Sequence, residues 1–199
     1  LVSEGLPAVL PLQRRFYEQL IRPIKDKLVV IISDALRYEV GHELFLKLQD
    51  DEKCTARLSG MLGVLPSYTR LGMAALLPHK TLTISDDYKV LVDGCTAGDL
   101  KQRETILKNY VLNSRCVQFD EIRAMKKAEL RDVFTGMDVV YIYHNRIDHT
   151  GDKMQSEGEA FEAVEKTFDD LMKLIKKLAN ANVNNLLITA DHGFIYQNK

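Results

Sequence analysis

Three apolar runs in this 199-residue sequence close on an aspartate. They are Val29-Val30-Ile31-Ile32-Ser33-Asp34, Val139-Val140-Tyr141-Ile142-Tyr143 continuing to Asp148, and Leu187-Ile188-Thr189-Ala190-Asp191. A histidine follows at once in Asp148-His149 and Asp191-His192. One such aspartate alone reads as a helix N-cap; three of them, with histidines attached, point to a shared site. Asp and His are the ligand set of zinc, manganese and related divalent ions. Carboxylates gathered in one cleft raise one another's pKa unless a cation neutralises them, so the cluster implies bound metal. Asp148 and Asp152 stand four apart and can grip one ion from a helical turn or a loop, while Gly151 between them can equally mark a surface turn. Leu65-Pro66-Ser67-Tyr68-Thr69-Arg70 adds a hydroxyl, Thr69 or Ser67, able to ligate a metal as an alkoxide and attack phosphorus. A helix N-terminus and Arg70 beside it favour an anionic ester. Standing alone, Ser-x-Thr after proline means an N-cap.

These residues need a scaffold that brings distant segments together. Strand-length apolar runs alternate with segments of helical period, the pattern of a parallel sheet covered by helices, which excludes an all-β sandwich and a plain helical bundle. In an open parallel sheet ligands bind beyond the carboxyl ends of the strands, so the three acids converge on one rim. The apolar run 28–32 suits a strand buried on both faces. Further strands are expected at 88–92, ahead of the Asp93-Gly94 turn, and at 138–143 and 186–189. Helices are expected at 12–24, with Leu12, Phe16, Leu20 and Ile24 four apart, and at 36–48, with Val40, Leu44 and Leu48 on one side. Others are expected at 69–77, stopped by Pro78, at 100–112 and at 157–178, with 55–64 extended.

Composition narrows the function classes. With 27 Lys plus Arg against 28 Asp plus Glu, 46% hydrophobic and 28% charged residues, this is an ordinary globular chain. Its length suits one domain, since chains usually split beyond roughly 250 residues. Near-neutrality excludes a general polybasic nucleic-acid or membrane binder, though a local basic patch stays open. No apolar run approaches the ~20 residues of a membrane span, and no signal-peptide order is present. The three cysteines, Cys54, Cys95 and Cys116, form no CxxC pair, so a reduced, cytoplasmic setting is expected. The chain stops nine residues after Ala190 with no closing helix, which leads us to expect a C-terminally truncated excerpt of a larger protein.

The ordered motifs Asp34-Ala35-Leu36-Arg37, Pro66-Ser67-Tyr68-Thr69-Arg70, His144-Asn145-Arg146-Ile147-Asp148-His149-Thr150-Gly151-Asp152 and Thr189-Ala190-Asp191-His192-Gly193-Phe194 closely resemble the PglZ domain of the alkaline phosphatase superfamily, best known from BREX-type bacteriophage exclusion systems. The resemblance runs over about residues 28 to 196. It implies a three-layer α/β/α sandwich around a mostly parallel central sheet, and a two-metal phosphoesterase site in a single PglZ domain over residues 1–199. By the same resemblance Asp34, Asp191 and His192 hold one metal with the nucleophile Thr69, Ser67 being the second candidate. Asp148 and Asp152 hold the other metal. Asp152 stands where the commoner phosphodiesterase pattern has histidine, and this harder ligand moves the preference from zinc toward manganese or magnesium. The superfamily's last ligand is a histidine well downstream of Asp-His-Gly, past the end of this chain.

The implied reaction is in-line attack by Thr69 on a phosphate ester, with two divalent ions, zinc foremost, supplying roughly +4 of charge to the acidic rim. Arg70 and Arg37 are candidate phosphate clamps, Arg37 being equally suited to a solvated or ion-paired role. His144 and Asn145, in a strand-end loop near Asp148, are placed to touch substrate. His149 points away from the metals, and His42 and His79 are structural. The function implied is that of a phosphodiesterase or nuclease in phage defence, a phosphomonoesterase being the close variant. The partners implied are a phosphate ester, such as nucleic acid or a nucleotide, and other defence-system proteins, with no membrane. A non-catalytic docking domain of a defence or signalling complex is the competing class. Against it stands the joint presence of Asp34, Thr69, Asp148, Asp152, Asp191 and His192. A receiver-like domain is disfavoured by the histidines and by Thr69.

Overall fold

The computed structural model describes residues 10–50, 54–145 and 157–193, with side chains from residue 162 in the last helix. The first strand, β1 (Leu28–Ser33), is buried at every position, as its unbroken apolar run requires. It lies between β6 (Val139–His144) and β7 (Leu186–Thr189), both parallel to it, and β5 (Ser114–Gln118) pairs in parallel with β6 to complete the order β5-β6-β1-β7. Alternate residues of β1 feed two separate cores. Val29 and Ile31 pack with α1 (Tyr38–Gln49), α4 (Phe119–Ala124), α5 (Lys127–Phe134) and α6 (Glu157–Asn180). Leu28, Val30 and Ile32 pack on the other face with α2 (Thr69–Ala75) and α3 (Leu100–Tyr110). The result is the expected α/β/α sandwich around a parallel sheet. The helix α1 buries Val40, Leu44 and Leu48, the four-residue period read from the sequence.

A second, antiparallel sheet of β2 (Leu82–Ile84), β3 (Val90–Val92) and β4 (Cys95–Thr96) lies beside α2. Its β3–β4 turn is Asp93-Gly94, with φ of 48° and 80°, the left-handed pair a tight hairpin needs. The Asp93 carboxylate pins the turn by accepting the Lys80 and Thr81 backbone N–H groups at 2.9 and 2.7 Å.

The segment 12–24 departs from expectation. Instead of one amphipathic α-helix it forms a 3-10 turn, Gln13–Arg15, and a π-helical turn, Tyr17–Ile21, closed by an Arg22 N–H to Tyr17 carbonyl bond of 2.8 Å. The wider turn replaces the four-residue period, so Gln13, Phe16, Tyr17 and Ile21 are buried while Leu12 and Ile24 are each 39% exposed. Leu12 instead bridges in parallel to Leu62, tying this segment to the extended stretch ahead of α2.

Candidate functional site

The two neighbouring parallel strands β1 and β7 end side by side, and each is followed by a buried acid: Asp34 at 4% exposure and Asp191 at 1%. The parallel register Ile32↔Thr189 brings these carboxyl ends together, the placement expected at the rim of such a sheet. His192 follows Asp191, and its Nε2 lies 3.4 Å from Asp34 Oδ1 and 3.4 Å from Asp191 Oδ2. One ligand atom from each of Asp34, Asp191 and His192 falls within 4.8 Å of the others.

The helix α2 brings the hydroxyl. Thr69, its first residue, is half-buried and sets Oγ1 3.0 Å from His192 Nε2. Close backbone contact holds the helix there: a Cβ on Gly72 would lie 2.2 Å from the Asp191 carbonyl oxygen, so only glycine fits. Ala35, directly after Asp34, takes the left-handed conformation at φ 60° and points its N–H at Asp191 Oδ1, 3.1 Å away. Left-handed backbone at a non-glycine residue is strained, and it persists here beside the chemical groups.

The donor chemistry fits a divalent cation. His192 Nδ1 lies 2.8 Å from the Gly193 carbonyl, an acceptor only, so Nδ1 donates there and Nε2 is the nitrogen left to face the site. A backbone carbonyl holding one imidazole nitrogen while the other faces inward is the usual support of a metal-binding histidine. That nitrogen faces the carboxylate oxygens of Asp34 and Asp191, and Asp191 Oδ2 is buried. Burial pushes the Asp191 carboxyl above its ordinary value, against the lowering influence of His192 and the Ala35 N–H. Two buried carboxylates and an imidazole nitrogen converging at one place are what a bound cation satisfies.

The other expected site residues fall as follows. Arg70 and Ser67 are exposed on either side of Thr69, and Asn145 is exposed immediately after β6. His144 is the last residue of β6 rather than part of the following loop, and it is only 2% exposed. Strand alternation turns it toward α6: Nδ1 meets Ser33 Oγ at 3.0 Å, Nε2 lies 3.6 Å from Asp170, and the ring stands edge-on to Phe119 with centroids 4.7 Å apart. Arg37 precedes α1 and lies against Gly193, with Nε 3.7 Å from Glu39. His79 donates to the Leu77 carbonyl at 2.7 Å, and His42 is exposed. Asp148, His149 and Asp152 lie outside the described residues. An apolar groove of about 360 Å³, lined by Leu12, Gln13, Leu62, Val64, Leu71 and Ile84 among others, opens beside α2 without including the acids.

Gln13 is a buried polar residue at the edge of the site that sequence reasoning missed. It is 2% exposed, its Nε2 donates to the Asp191 carbonyl and at 3.3 Å to that of Ala190, and its Oε1 accepts the Val64 N–H at 2.9 Å. No spacing in the sequence marks it, because its partners lie 51 and 178 positions away.

Comparison with known proteins identifies the family. The chain is 44% identical over 188 residues to the alkaline phosphatase-like protein PglZ of Bacillus cereus (strain H3081.97), covering 92% of this chain and 22% of that protein. It is 41% identical over 201 residues to the alkaline phosphatase-like protein BrxZ of Escherichia coli O9:H4 (strain HS), covering 96% of this chain and 23% of that one. The chain therefore spans less than a quarter of the length of these curated relatives. Residues 16–199, which take in the strand-end acids, Thr69 and the sheet that gathers them, match the BREX system PglZ alkaline phosphatase-like domain, and the chain belongs to that family.

Proposed function

We infer that this chain carries the metal-dependent phosphoesterase centre of a PglZ-type protein acting in bacteriophage defence, with Thr69 as nucleophile. The observation that carries the reading is the Thr69 hydroxyl set 3.0 Å from an Nε2 that also faces two buried carboxylates. Asp34, Asp191, His192 and the Thr69 oxygen form an oxygen-rich donor set with one imidazole, suited to zinc or manganese. A divalent ion bound there supplies charge that lowers the pKa of a ligated hydroxyl and favours an anionic ester. Asp148 and Asp152 are the motif's candidates for a second ion.

The protein's own contribution is positioning. The contact at Gly72 holds α2 so that Thr69 Oγ1 faces the strand ends. Attack by that oxygen forms a Thr69–phosphorus ester as the leaving-group oxygen departs, and water then breaks the new ester and restores the hydroxyl. Arg70 and Asn145, both exposed, are the groups offered to the phosphate, while His144, turned inward, supports β1 and β6 from behind. A phosphodiester, nucleic acid or nucleotide, is the proposed substrate class, and other components of a BREX-type system are the proposed partners, in the cytoplasm. The wild-type full-length protein, loaded with zinc or manganese, is expected to hydrolyse bis-p-nitrophenyl phosphate faster than the mono-ester. Thr69→Ala is expected to lower the rate by about 10³-fold or more while retaining the metal held by Asp34, Asp191 and His192. Equal rates in the two proteins reject the nucleophile, and preference for the mono-ester rejects the diesterase.

A further inference from the structure

Gln13 precedes residues 16–199, the span of the family match, yet its amide joins the two segments from which the centre is built. One end holds the backbone of Asp191, a carboxylate of the candidate metal cluster. The other holds the Val64 N–H, which leads through Pro66 and Ser67 to Thr69. A glutamine side chain offers both a donor and an acceptor at a fixed separation, so it sets the spacing of the two backbones in a way no apolar residue can. The Leu12↔Leu62 bridge, with the Gln13 N–H to Leu62 carbonyl bond at 2.9 Å, fixes the glutamine's own backbone to the same stretch.

We propose that Gln13 is a positioning residue of the centre, setting Asp191 and His192 against Thr69, and that the functional unit therefore begins ahead of the family match. The inference rests on the metal-dependent reading of the site. Its test is the zinc and manganese affinity of the full-length protein, measured by calorimetry for wild type, Gln13→Met, Gln13→Glu, Tyr141→Phe and His192→Ala. Thermal melts in chelator are recorded beside each. Tyr141 donates a comparably buried side-chain bond to the Leu76 carbonyl at 2.9 Å, away from the acids, and serves as the structural control. Gln13→Met is expected to raise the metal dissociation constant about tenfold and to lower kcat with KM nearly unchanged. Gln13→Glu keeps the acceptor for Val64, loses the donor to Asp191, and is expected to do the same. It carries the test if the methionine variant does not fold. Tyr141→Phe is expected to lower the metal-free melting temperature and leave the dissociation constant alone. A Gln13 variant that melts lower but binds metal within twofold of wild type overturns the proposal. Unchanged metal binding in His192→Ala overturns the metal-site reading and this inference with it.

Discussion

Asp191 holds its two oxygens in different circumstances. Oδ1 accepts the Ala35 N–H, while Oδ2 is buried and faces His192 Nε2. Burial raises the carboxyl's pKa above its ordinary 3.8. The folded chain thus holds this proton more tightly than the unfolded chain. In metal-free protein the group stabilises the fold most below pH 3.8 and loses that contribution as pH rises through its higher folded value. Asp191→Asn, which keeps an acceptor for Ala35 and removes the charge, is expected to stabilise the metal-free protein by about 1 kcal/mol at pH 7. The same change is expected to weaken metal binding at least tenfold. Urea denaturation in chelator and calorimetry with zinc check the two halves. A drop in metal-free stability would show that the ionised carboxylate does not burden the fold.

The helix α2 matters through one missing methyl. Gly72 lets its backbone touch Asp191, so Gly72→Ala forces the helix away from the strand ends and moves Thr69 from His192. The expected result is destabilisation of about 1–3 kcal/mol, the usual range for overpacking, with a larger loss of phosphoesterase rate than the stability change alone explains. Denaturant midpoints and rates of the folded variant separate the two. The apolar strands and the most regular helix were readable beforehand: β1 and β6, buried throughout, and the partly buried β7 carry apolar runs, and α1 keeps a clean four-residue period. The edge strand β5, Ser-Arg-Cys-Val-Gln, alternates too weakly to announce itself, and α4 and α5 are short. The Gln13–Ile21 stretch misled because an apolar spacing of four says nothing of a π-turn, whose wider winding is selected by contacts with the rest of the core. At the site, Asp34, Thr69, Asp191 and His192 were readable as strand-end and helix-start residues. The inward turn of His144 was not, because it depends on where β6 ends and on Asp170 from a distant helix.

At the scale of the molecule, a net charge of −1 is nearly balanced, yet two acids are buried together at one rim. Among the described residues no helix is long and apolar enough to cross a membrane. A fold that gathers acids in this way should gain stability from the ion it binds. Free metal at 100 times its dissociation constant is expected to add about 2.7 kcal/mol, or roughly 5–10 °C in melting temperature for a domain of this size. Asp34→Asn should lose that increment, and scanning calorimetry with and without chelator measures it. Wild-type melting that ignores metal would count against the cluster as a binding site. The pairing of β1 with β7 has a further consequence for the chain during its synthesis. Asp34 emerges early, but Ala35 must wait for a residue 156 positions later, Asp191, before its N–H finds its acceptor. A nascent polypeptide carrying β1, α2 and β6 therefore lacks two of the four groups gathered at the candidate site, and the cluster cannot assemble on the ribosome until β7 and His192 have left the exit tunnel.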